Sequence, residues 1–362
     1  MTTFARIALV VPDLRFGGGQ RVMLELSRRF VDAGVRVDLV NLAGDGELAA
    51  EIPEGVRHYC AASRKNGLRL ALASIAWLHR YFRSEKPDAV LVTMTGANIA
   101  TLLAGKAAGF SGKLVVREAA STMNTSIVRR ILMRLAYGWA TTIVTVSRGV
   151  GDDLAAVGLP RNRLLAIPNP IDVLRVRRLA DEPQPRPMRP YIVALGRLTV
   201  QKDHATLLEA YAVSAVRATH SLVIIGEGPE RQALESRMET LGLVGEARLA
   251  GALANPYPLV KGASLMVLSS RWEGYPNVLL EALAVGTPVV STDCPAGPSE
   301  LLGGGRYGRL VPVGDAVALA QAMADELAAP SPDTDHVLDQ HRPSVVAARY
   351  ADALGIAGME PS

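Results

Sequence analysis

Residues 271–300 read RWEGYPNVLLEALAVGTPVVSTDCPAGPSE, and this stretch indicates the class of fold. Pro276 or Asn277 can begin a helix, because proline is preorganised for a first turn and asparagine caps one. Gly286 is the expected C-terminal stop of that helix. The apolar, β-branched run at 287–292 is typical of a buried strand. The stretch therefore predicts a loop, a helix and a strand of an α/β domain.

Two carboxylates stand on either side of the predicted helix start. Glu273 lies in the loop before the helix, and Glu281 lies near its second turn. In one interpretation the two carboxylates bind the hydroxyls of two rings joined by a diphosphate, because a helix N-terminus between them favours an anion. In the other interpretation they are surface carboxylates that flank an ordinary helix.

The motif E-G-x-P-N-x-x-x-E-A at 273–282 is followed by G-x-P-V-V-S-T-D at 286–293. Together they resemble the glutamate-pair signature of the retaining glycosyltransferases of family 4. The tail CPAGPSE at 294–300 is similar to a bacterial subset of that family, many of whose members transfer N-acetylhexosamines from UDP. The resemblance implies the GT-B fold, in which two Rossmann-like domains face each other across a cleft. It is close in the second half of the chain and mostly architectural in the first.

With 362 residues the chain is too long for one typical core, so we expect two domains. Strands and helices alternate in both halves, which predicts an α/β fold with doubly wound parallel sheets. The predicted domains are an acceptor-side domain at 1–180 and a nucleotide-sugar-binding domain at 191–342. The prolines at 181–190 predict a stiff linker between them. The resemblance also implies a C-terminal helix, at about 343–362, that crosses back to the first domain.

A glycine loop, formed by Gly17, Gly18 and Gly19, separates the predicted strand 6–11 from the predicted helix 20–30. The loop is not a dinucleotide fingerprint, because its spacing differs from G-x-G-x-x-G and no acidic residue ends the next strand. The resemblance implies that this loop borders the donor phosphates and the acceptor. A plain tight turn is the alternative.

Glu118 follows the strand predicted at 113–117. Many members of the resembled family carry a histidine near this position, whereas the subset with the C-P-x-G-P tail often has a Glu-Arg-Asn type of sequence. This chain reads REAA at 117–120. The resemblance therefore implies that Glu118 is a catalytic candidate on the acceptor side, and a structural salt bridge to a nearby arginine is the alternative.

The motif G-R-L-x-x-x-K at 196–202 implies that Arg197 and Lys202 hold the donor diphosphate. Arginine offers a planar fork of donors and lysine a mobile point charge, and together they can neutralise a dianionic leaving group. The resemblance further implies that Glu273 binds the sugar hydroxyls and Glu281 the ribose. The remaining donor-binding candidates are Gly226, Gly228, Gly274, Tyr275, Pro276 and Asn277. For the first two glycines a strand-to-helix turn explains the sequence equally well.

Composition limits the other classes of function. The net charge of +4 suits anionic substrates or a phospholipid surface but falls short of a nucleic-acid-binding footprint. The 2 cysteines cannot form a disulfide framework, which indicates a reducing compartment. The histidines show no metal-ligand spacing, so we expect neither a metal nor a cofactor. Without a signal peptide or a long apolar run, we expect a cytoplasmic protein, at most peripheral at the inner face of the membrane.

Two helical stretches combine basic with large apolar residues, one at 64–86 and one that contains Arg129, Arg130 and Arg134. Such helices can lie on anionic bilayers. The interpretation that we favour from the sequence is that the apolar side packs on the sheet and the arginines face water.

The expected function is transfer of a hexose or an N-acetylhexosamine, N-acetylgalactosamine or N-acetylglucosamine, from a UDP-sugar. The acceptor would be a saccharide or lipid-linked saccharide, and the anomeric configuration would be retained, in assembly of a bacterial surface glycan. A sugar-nucleotide epimerase of the same two-domain shape is one alternative. A non-catalytic partner subunit is the other.

Overall fold

The structure is a computed structural model that describes residues 5–15, 17–44, 46–61, 67–121, 125–332 and 334–359. Arg64 and Lys65, in the first basic stretch, lie outside these residues. The strands are β1 (Arg6–Val11), β2 (Arg36–Asn41), β3 (Arg57–Cys60), β4 (Ala89–Thr93), β5 (Lys113–Glu118), β6 (Thr142–Thr145), β7 (Leu164–Ala166), β8 (Tyr191–Leu195), β9 (Ser221–Ile225), β10 (Ala247–Gly251), β11 (Leu265–Leu268), β12 (Val289–Thr292) and β13 (Arg309–Val311).

The α-helices connect these strands and cover the sheets. They are α1 (Gly18–Asp32), α2 (Gly67–Glu85), α3 (Thr95–Ala108), α4 (Ile127–Tyr137), α5 (Arg148–Ala156), α6 (Val173–Ala180), α7 (His204–Val213), α8 (Arg231–Thr240), α9 (Tyr257–Lys261), α10 (Asn277–Ala284), α11 (Pro298–Leu301), α12 (Ala316–Ala328), α13 (Asp335–Asp339) and α14 (Pro343–Leu354). Short 3-10 turns occur at Glu47–Glu51, Arg161–Arg163 and Ala215–Ala218.

The chain forms two compact units, each with its own parallel sheet. The first unit is Met1–Pro170 with His341–Ser362, and the second is Ile171–Gln340. The strand orders are β3-β2-β1-β4-β5-β6-β7 and β10-β9-β8-β11-β12-β13. The predicted α/β class with two doubly wound, Rossmann-like domains is therefore confirmed.

Both faces of the first sheet are buried. Ile7, Leu9 and Val11 belong to one apolar cluster, whereas Ala8 and Val10 belong to another. This alternation follows from the two-residue period of a strand, and strands that are buried on both faces read as continuous apolar runs. The run RIALVV at 6–11 is such a strand.

The strand order reverses once in each sheet, beside β1 and β4 in the first and beside β8 and β11 in the second. Ligands of open parallel sheets bind beyond the carboxyl ends of the strands at such a switch point. The loop after β1 carries the glycines 17–19, and the loops after β8 and β11 carry 196–202 and 273–277. The topology thus gathers most of the predicted site residues at the switch points of their own sheets.

The last described helix, α14, packs within the first unit. Its apolar residues, including Tyr350 and Leu354, join the cluster that contains the β1 side chains. The fully buried Arg117 bonds this helix to the sheet, because its Nε donates to Tyr350 Oη at 3.1 Å. Its other nitrogens donate to Thr93 Oγ1 at 3.0 Å and to Asn169 Oδ1 at 2.5 Å.

The change from the first unit to the second occurs at Pro170, earlier than the predicted end at residue 180. Helix α6 belongs to the second unit, where Arg177 Nε donates to Ala284 O at 2.7 Å. The proline-rich segment 181–190 is also part of that unit, since Asn255 Nδ2 donates to Glu182 Oε2 at 2.8 Å. The prediction of an interdomain linker at 181–190 is therefore corrected.

Candidate active site

The centre of the candidate site is an ion pair between Lys202 and Glu273. Lys202 lies in the loop after β8, and Glu273 lies in the loop after the neighbouring strand β11. Lys202 Nζ donates to Glu273 Oε1 at 2.5 Å, and both side chains are largely buried. Two residues that the sequence assigned to different parts of the donor thus contact each other directly.

One oxygen of Glu273 is held by the protein and the other is not. Ser270 Oγ donates to Oε1 at 2.6 Å, so this oxygen has two donors. Ser270 is fixed in turn, because Thr292 Oγ1 donates to its carbonyl at 2.6 Å. Within the described part of the chain, Oε2 of Glu273 accepts no hydrogen bond. The carboxylate is therefore oriented with one oxygen left for a ligand hydroxyl.

Backbone contacts fix the loop that carries Lys202. Ser269 Oγ donates to the Lys202 carbonyl at 2.9 Å, and the Lys202 amide donates to Thr199 O at 3.0 Å. A Cβ on Gly196 would lie 3.3 Å from the aliphatic stem of Lys202, so glycine leaves room for that stem. Arg197 is exposed, and its guanidinium makes no hydrogen bond to another described residue.

Glu281 occupies the second turn of α10, as predicted from the sequence, and is half-buried. Its Oε1 accepts a hydrogen bond from Tyr257 Oη at 3.2 Å. Tyr257 is the first residue of α9, and the sequence did not single it out. The contact brings a phenol to a carboxylate that the resemblance assigns to ribose.

The start of α10 is packed closely. Gly274, Tyr275 and Pro276 are buried, and the Asn277 amide donates to the Tyr275 carbonyl at 3.0 Å. Burial, and then the charge of Glu300, raise the pKa of Tyr275 above its ordinary value, so its phenol stays neutral. The Asn277 amide would have to exchange its present bond in order to contact a phosphate.

Gly226 and Gly228 allow two loops to approach each other. A Cβ on Gly226, at φ 152°, would lie 1.9 Å from Gly196 O, and one on Gly228 would lie 2.2 Å from Leu198 O. The Leu198 amide donates to Glu227 O at 2.9 Å across the same contact. These glycines therefore hold the 196–198 turn against the end of β9, which is a structural requirement in its own right.

Gly17, Gly18 and Gly19 open helix α1. Gly17 is the N-cap, with extended backbone at φ −172° and no side-chain cap, and the other two begin the helix. None of the three has a positive φ, so their conformation does not require glycine. The glycines therefore form the first residues of a helix and not the plain tight turn that was the alternative.

Glu118 ends β5 and is buried. Its carboxylate accepts hydrogen bonds from Tyr137 Oη at 2.6 Å and from Thr95 Oγ1 at 3.0 Å, with Asn98 Nδ2 at 3.4 Å. Burial raises the pKa of this carboxyl. No salt bridge to an arginine occurs among the described residues. The network is one of neutral donors, and an acceptor could reach the carboxylate only if it opened.

Two further titratable groups border the site. Burial, and then the nearby Glu273 carboxylate, raise the pKa of the Cys294 thiol to about 12, so the thiol is not a nucleophile at neutral pH. Burial, and then the charge of Lys202, lower the pKa of His204 to about 4. His204 begins α7 and was not predicted as a site residue, although its position next to Lys202 was a usable signal.

No group of three or more His, Cys, Asp or Glu residues in the described ranges could hold a metal ion. In the same ranges, none of the helices has the length and apolar character that a membrane span needs.

Each half of the chain matches a glycosyltransferase family. The family described as Glycosyltransferase Family 4 matches residues 16–175, and the family described as Glycosyl transferases group 1 matches residues 189–328. The matches fall one on each parallel-sheet domain. Each domain thus matches a glycosyltransferase family, and the fold is that of the GT-B glycosyltransferases.

Among its relatives is the N-acetylgalactosamine-N,N'-diacetylbacillosaminyl-diphospho-undecaprenol 4-alpha-N-acetylgalactosaminyltransferase of Campylobacter jejuni, 27% identical over 88% of this chain and 89% of the relative. An uncharacterized glycosyltransferase of Methanocaldococcus jannaschii is 32% identical over 39% of this chain. The chain covers 37% of that second relative's length. The solved structure of Anabaena HepE in complex with UDP has a TM-score of 0.77 and 17% identity, over 97% of this chain and 99% of that chain. This likeness concerns the fold.

Proposed function

We propose that the chain transfers a hexose or an N-acetylhexosamine from a UDP-sugar, with retention, in the assembly of a bacterial surface glycan. If the sugar is an N-acetylhexosamine, it is N-acetylgalactosamine or N-acetylglucosamine, and the acceptor is a saccharide or a lipid-linked saccharide. The observation that carries the proposal is the ion pair of Lys202 and Glu273 at the switch point of the second sheet. The name of the C. jejuni relative and the UDP bound by HepE support the choice of sugar and nucleotide.

In the proposed reaction Lys202 and Arg197 stabilise the charge that develops on the departing diphosphate. Lys202 Nζ uses one of its three N–H groups on Glu273 within the described residues, so two remain for phosphate oxygens. Arg197 is exposed beside it and supplies a planar fork of donors. Glu273 accepts hydrogen bonds from the sugar hydroxyls through Oε2, and Glu281 binds the ribose.

Retention follows if the acceptor attacks the face from which the diphosphate leaves. The bond between the anomeric carbon and the phosphate oxygen breaks, and the acceptor oxygen bonds to the same face of that carbon. The acceptor proton passes to the departing phosphate oxygen, so the step needs no protein base. Glu118, buried in its own network, takes no part in this chemistry.

Helix α4 supports a lipid-linked acceptor. Ile127, Val128, Ile131, Leu132 and Leu135 are exposed on it, between 48% and 74% of each residue. Only Met133, Ala136 and Tyr137 of this helix are buried. The interpretation favoured from the sequence, with the apolar side packed on the sheet, therefore fails for most of α4. We assign this apolar face and its neighbouring arginines to contact with an anionic membrane.

A donor screen tests the proposal. UDP-, GDP- and ADP-sugars are added to the protein and the thermal midpoint is measured, because a ligand at 100 times its dissociation constant stabilises by about 2.7 kcal/mol. We expect UDP-N-acetylhexosamines to give the largest shift. With such a donor alone, slow release of UDP is expected; conversion to an epimer would indicate the epimerase instead. Absence of binding to every nucleotide sugar would overturn the proposal in favour of a non-catalytic subunit.

A further inference from the structure

A hydrogen bond from outside α10 restrains the carboxylate of Glu281. Tyr257 Oη donates to Glu281 Oε1 at 3.2 Å, and both residues are half-buried. A glutamate side chain has three rotatable bonds, and ordering them costs free energy unless the protein has already done so. A phenol has only two side-chain torsions and is therefore a stiff donor. The contact therefore helps to hold this carboxylate in one orientation.

Tyr257 is itself held by a short chain of hydrogen bonds. Its amide donates to Asn255 Oδ1 at 3.2 Å. Asn255 Nδ2 donates to Leu179 O and to Glu182 Oε2, each at 2.8 Å. The start of α9 is thereby fixed to the end of α6, and Tyr257 presents its hydroxyl from a fixed position.

The number of hydrogen bonds that the Glu281 carboxylate can accept suits the two hydroxyls of a ribose. A carboxylate offers about four lone-pair sites, and Tyr257 uses one of them. Two vicinal hydroxyls are two donors, and each requires an acceptor in a defined position. An oriented carboxylate meets that requirement, whereas a mobile one must be ordered when the ligand binds.

We infer that Tyr257 is a positioning residue that orients Glu281 toward the two hydroxyls of the donor ribose, and so helps to select a ribonucleoside diphosphate. The inference rests on the proposed function, because it takes Glu281 as the ribose ligand. Tyr257 acts through Glu281 and has no chemical step of its own.

The test is calorimetric titration of the wild type and of Tyr257→Phe with UDP and with 2′,3′-dideoxyuridine diphosphate. We expect Tyr257→Phe to weaken UDP binding by about threefold to tenfold, which is the net effect of losing one typical hydrogen bond. Its affinity for the dideoxy ligand should stay within about twofold of the wild type, because that ligand lacks the hydroxyls. On a Glu281→Gln background, the same change should have little further effect on UDP.

Tyr191→Phe is the matched control. Tyr191 Oη donates to Leu259 O at 2.8 Å, so this variant loosens the same helix α9 without touching Glu281. If Tyr191→Phe reproduces the loss, or if Tyr257→Phe weakens both ligands equally, the positioning role is overturned. Unchanged UDP affinity in Tyr257→Phe also overturns it. A wild type that binds no nucleoside diphosphate would refute the proposed function itself, and the inference with it.

Discussion

Lys202 and Glu273 neutralise each other in this structure, and this explains how both can be buried. An isolated buried charge is costly, whereas a paired and hydrogen-bonded one is tolerated. The arrangement also links binding to catalysis, because a diphosphate that attracts Lys202 competes with Glu273 for the same ammonium. Mutation of Lys202 or Glu273 is therefore expected to change the stability of the fold, whereas mutation of the exposed Arg197 is not.

For Lys202→Ala and Arg197→Ala we predict a loss of transfer rate of at least about a hundredfold, because each removes charge stabilisation of the leaving group. The free energy of unfolding should separate them. Lys202→Ala should cost about 1–3 kcal/mol, since it leaves a buried carboxylate without its cation, whereas Arg197→Ala should be nearly neutral. Initial rates and urea unfolding measure both effects.

Lys261→Ala is the control for this pair of variants, because Lys261 forms an exposed ion pair with Asp181 and should lose neither rate nor stability. Transfer at the wild-type rate in both Lys202→Ala and Arg197→Ala would remove the diphosphate assignment.

Two buried histidines predict how stability depends on pH. Burial is the main cause that lowers the pKa of His204 and of His341 from 6.5 to about 4. The unfolded chain therefore binds protons between these values that the folded chain does not. We expect the free energy of unfolding to be level above about pH 6.5 and to fall toward pH 4, by up to about 3 kcal/mol for each histidine.

Chemical unfolding at a series of pH values measures this dependence. His341→Gln should remove the contribution of His341 to the slope between pH 6.5 and 4 and leave that of His204. An unchanged slope in His341→Gln would contradict the assignment.

At the scale of the element, α4 shows what an amphipathic pattern leaves undecided. The sequence pattern predicts a helix at 127–137, and α4 has these bounds. The pattern did not reveal which face is buried. Five large apolar residues of α4 are exposed, whereas only three residues of the helix are buried in the first unit. Arg129, Arg130 and Arg134 border the exposed apolar face, and a bilayer with anionic headgroups complements both features.

We predict weak, salt-sensitive binding of the protein to anionic vesicles. Each basic residue near such a surface contributes about 1 kcal/mol, and high salt shortens the screening length to a few ångströms. Changing Arg129, Arg130 and Arg134 to glutamine should abolish co-sedimentation at low salt. A separate Ile131→Ser, Leu135→Ser variant should reduce it at every salt concentration, because it removes the apolar contribution.

Arg231 and Arg237 on α8 provide a control, and their change to glutamine should leave vesicle binding intact. Absence of binding by the wild type at low salt, or binding that ignores the α4 changes, would exclude this role for α4.

Other elements show where the sequence was sufficient and where it was not. Apolar runs between turn residues predict strands at 191–195 and 221–225, and β8 and β9 have these bounds. Strand Arg57–Cys60 was missed, since a short and mostly polar edge strand has no such run. Helix Val173–Ala180 was not predicted either, and residues up to 180 were assigned to the first domain because the proline-rich segment 181–190 was interpreted as the linker.

Some residues of the candidate site could likewise be found from the sequence, and others could not. Lys202 and Glu273 could be found as motif residues, but their direct contact depends on the adjacency of β8 and β11, which a sequence does not state. Ser270 and Tyr257 became visible only through their hydrogen bonds to the two glutamates. The structure also shows that glycine is required at position 226, because the backbone of Gly196 approaches too closely for a side chain.

At the scale of the whole molecule, the first unit is assembled from two stretches of chain that lie on either side of the second unit. Arg117 bonds both stretches, through Asn169 on one side and Tyr350 on the other. The apolar face of β1 is likewise covered in part by α14. The first unit thus depends on residues that follow the second unit in sequence.

This discontinuity sets the order of events during synthesis. The ribosome adds roughly 5–20 residues per second, so residues 171–340 take on the order of 10–30 s to emerge. While these residues are being translated, the seven strands of the first sheet have already been made and α14 has not. Part of the apolar surface of the nascent first unit therefore stays uncovered until α14 has been made, and the domain that is begun first is completed last.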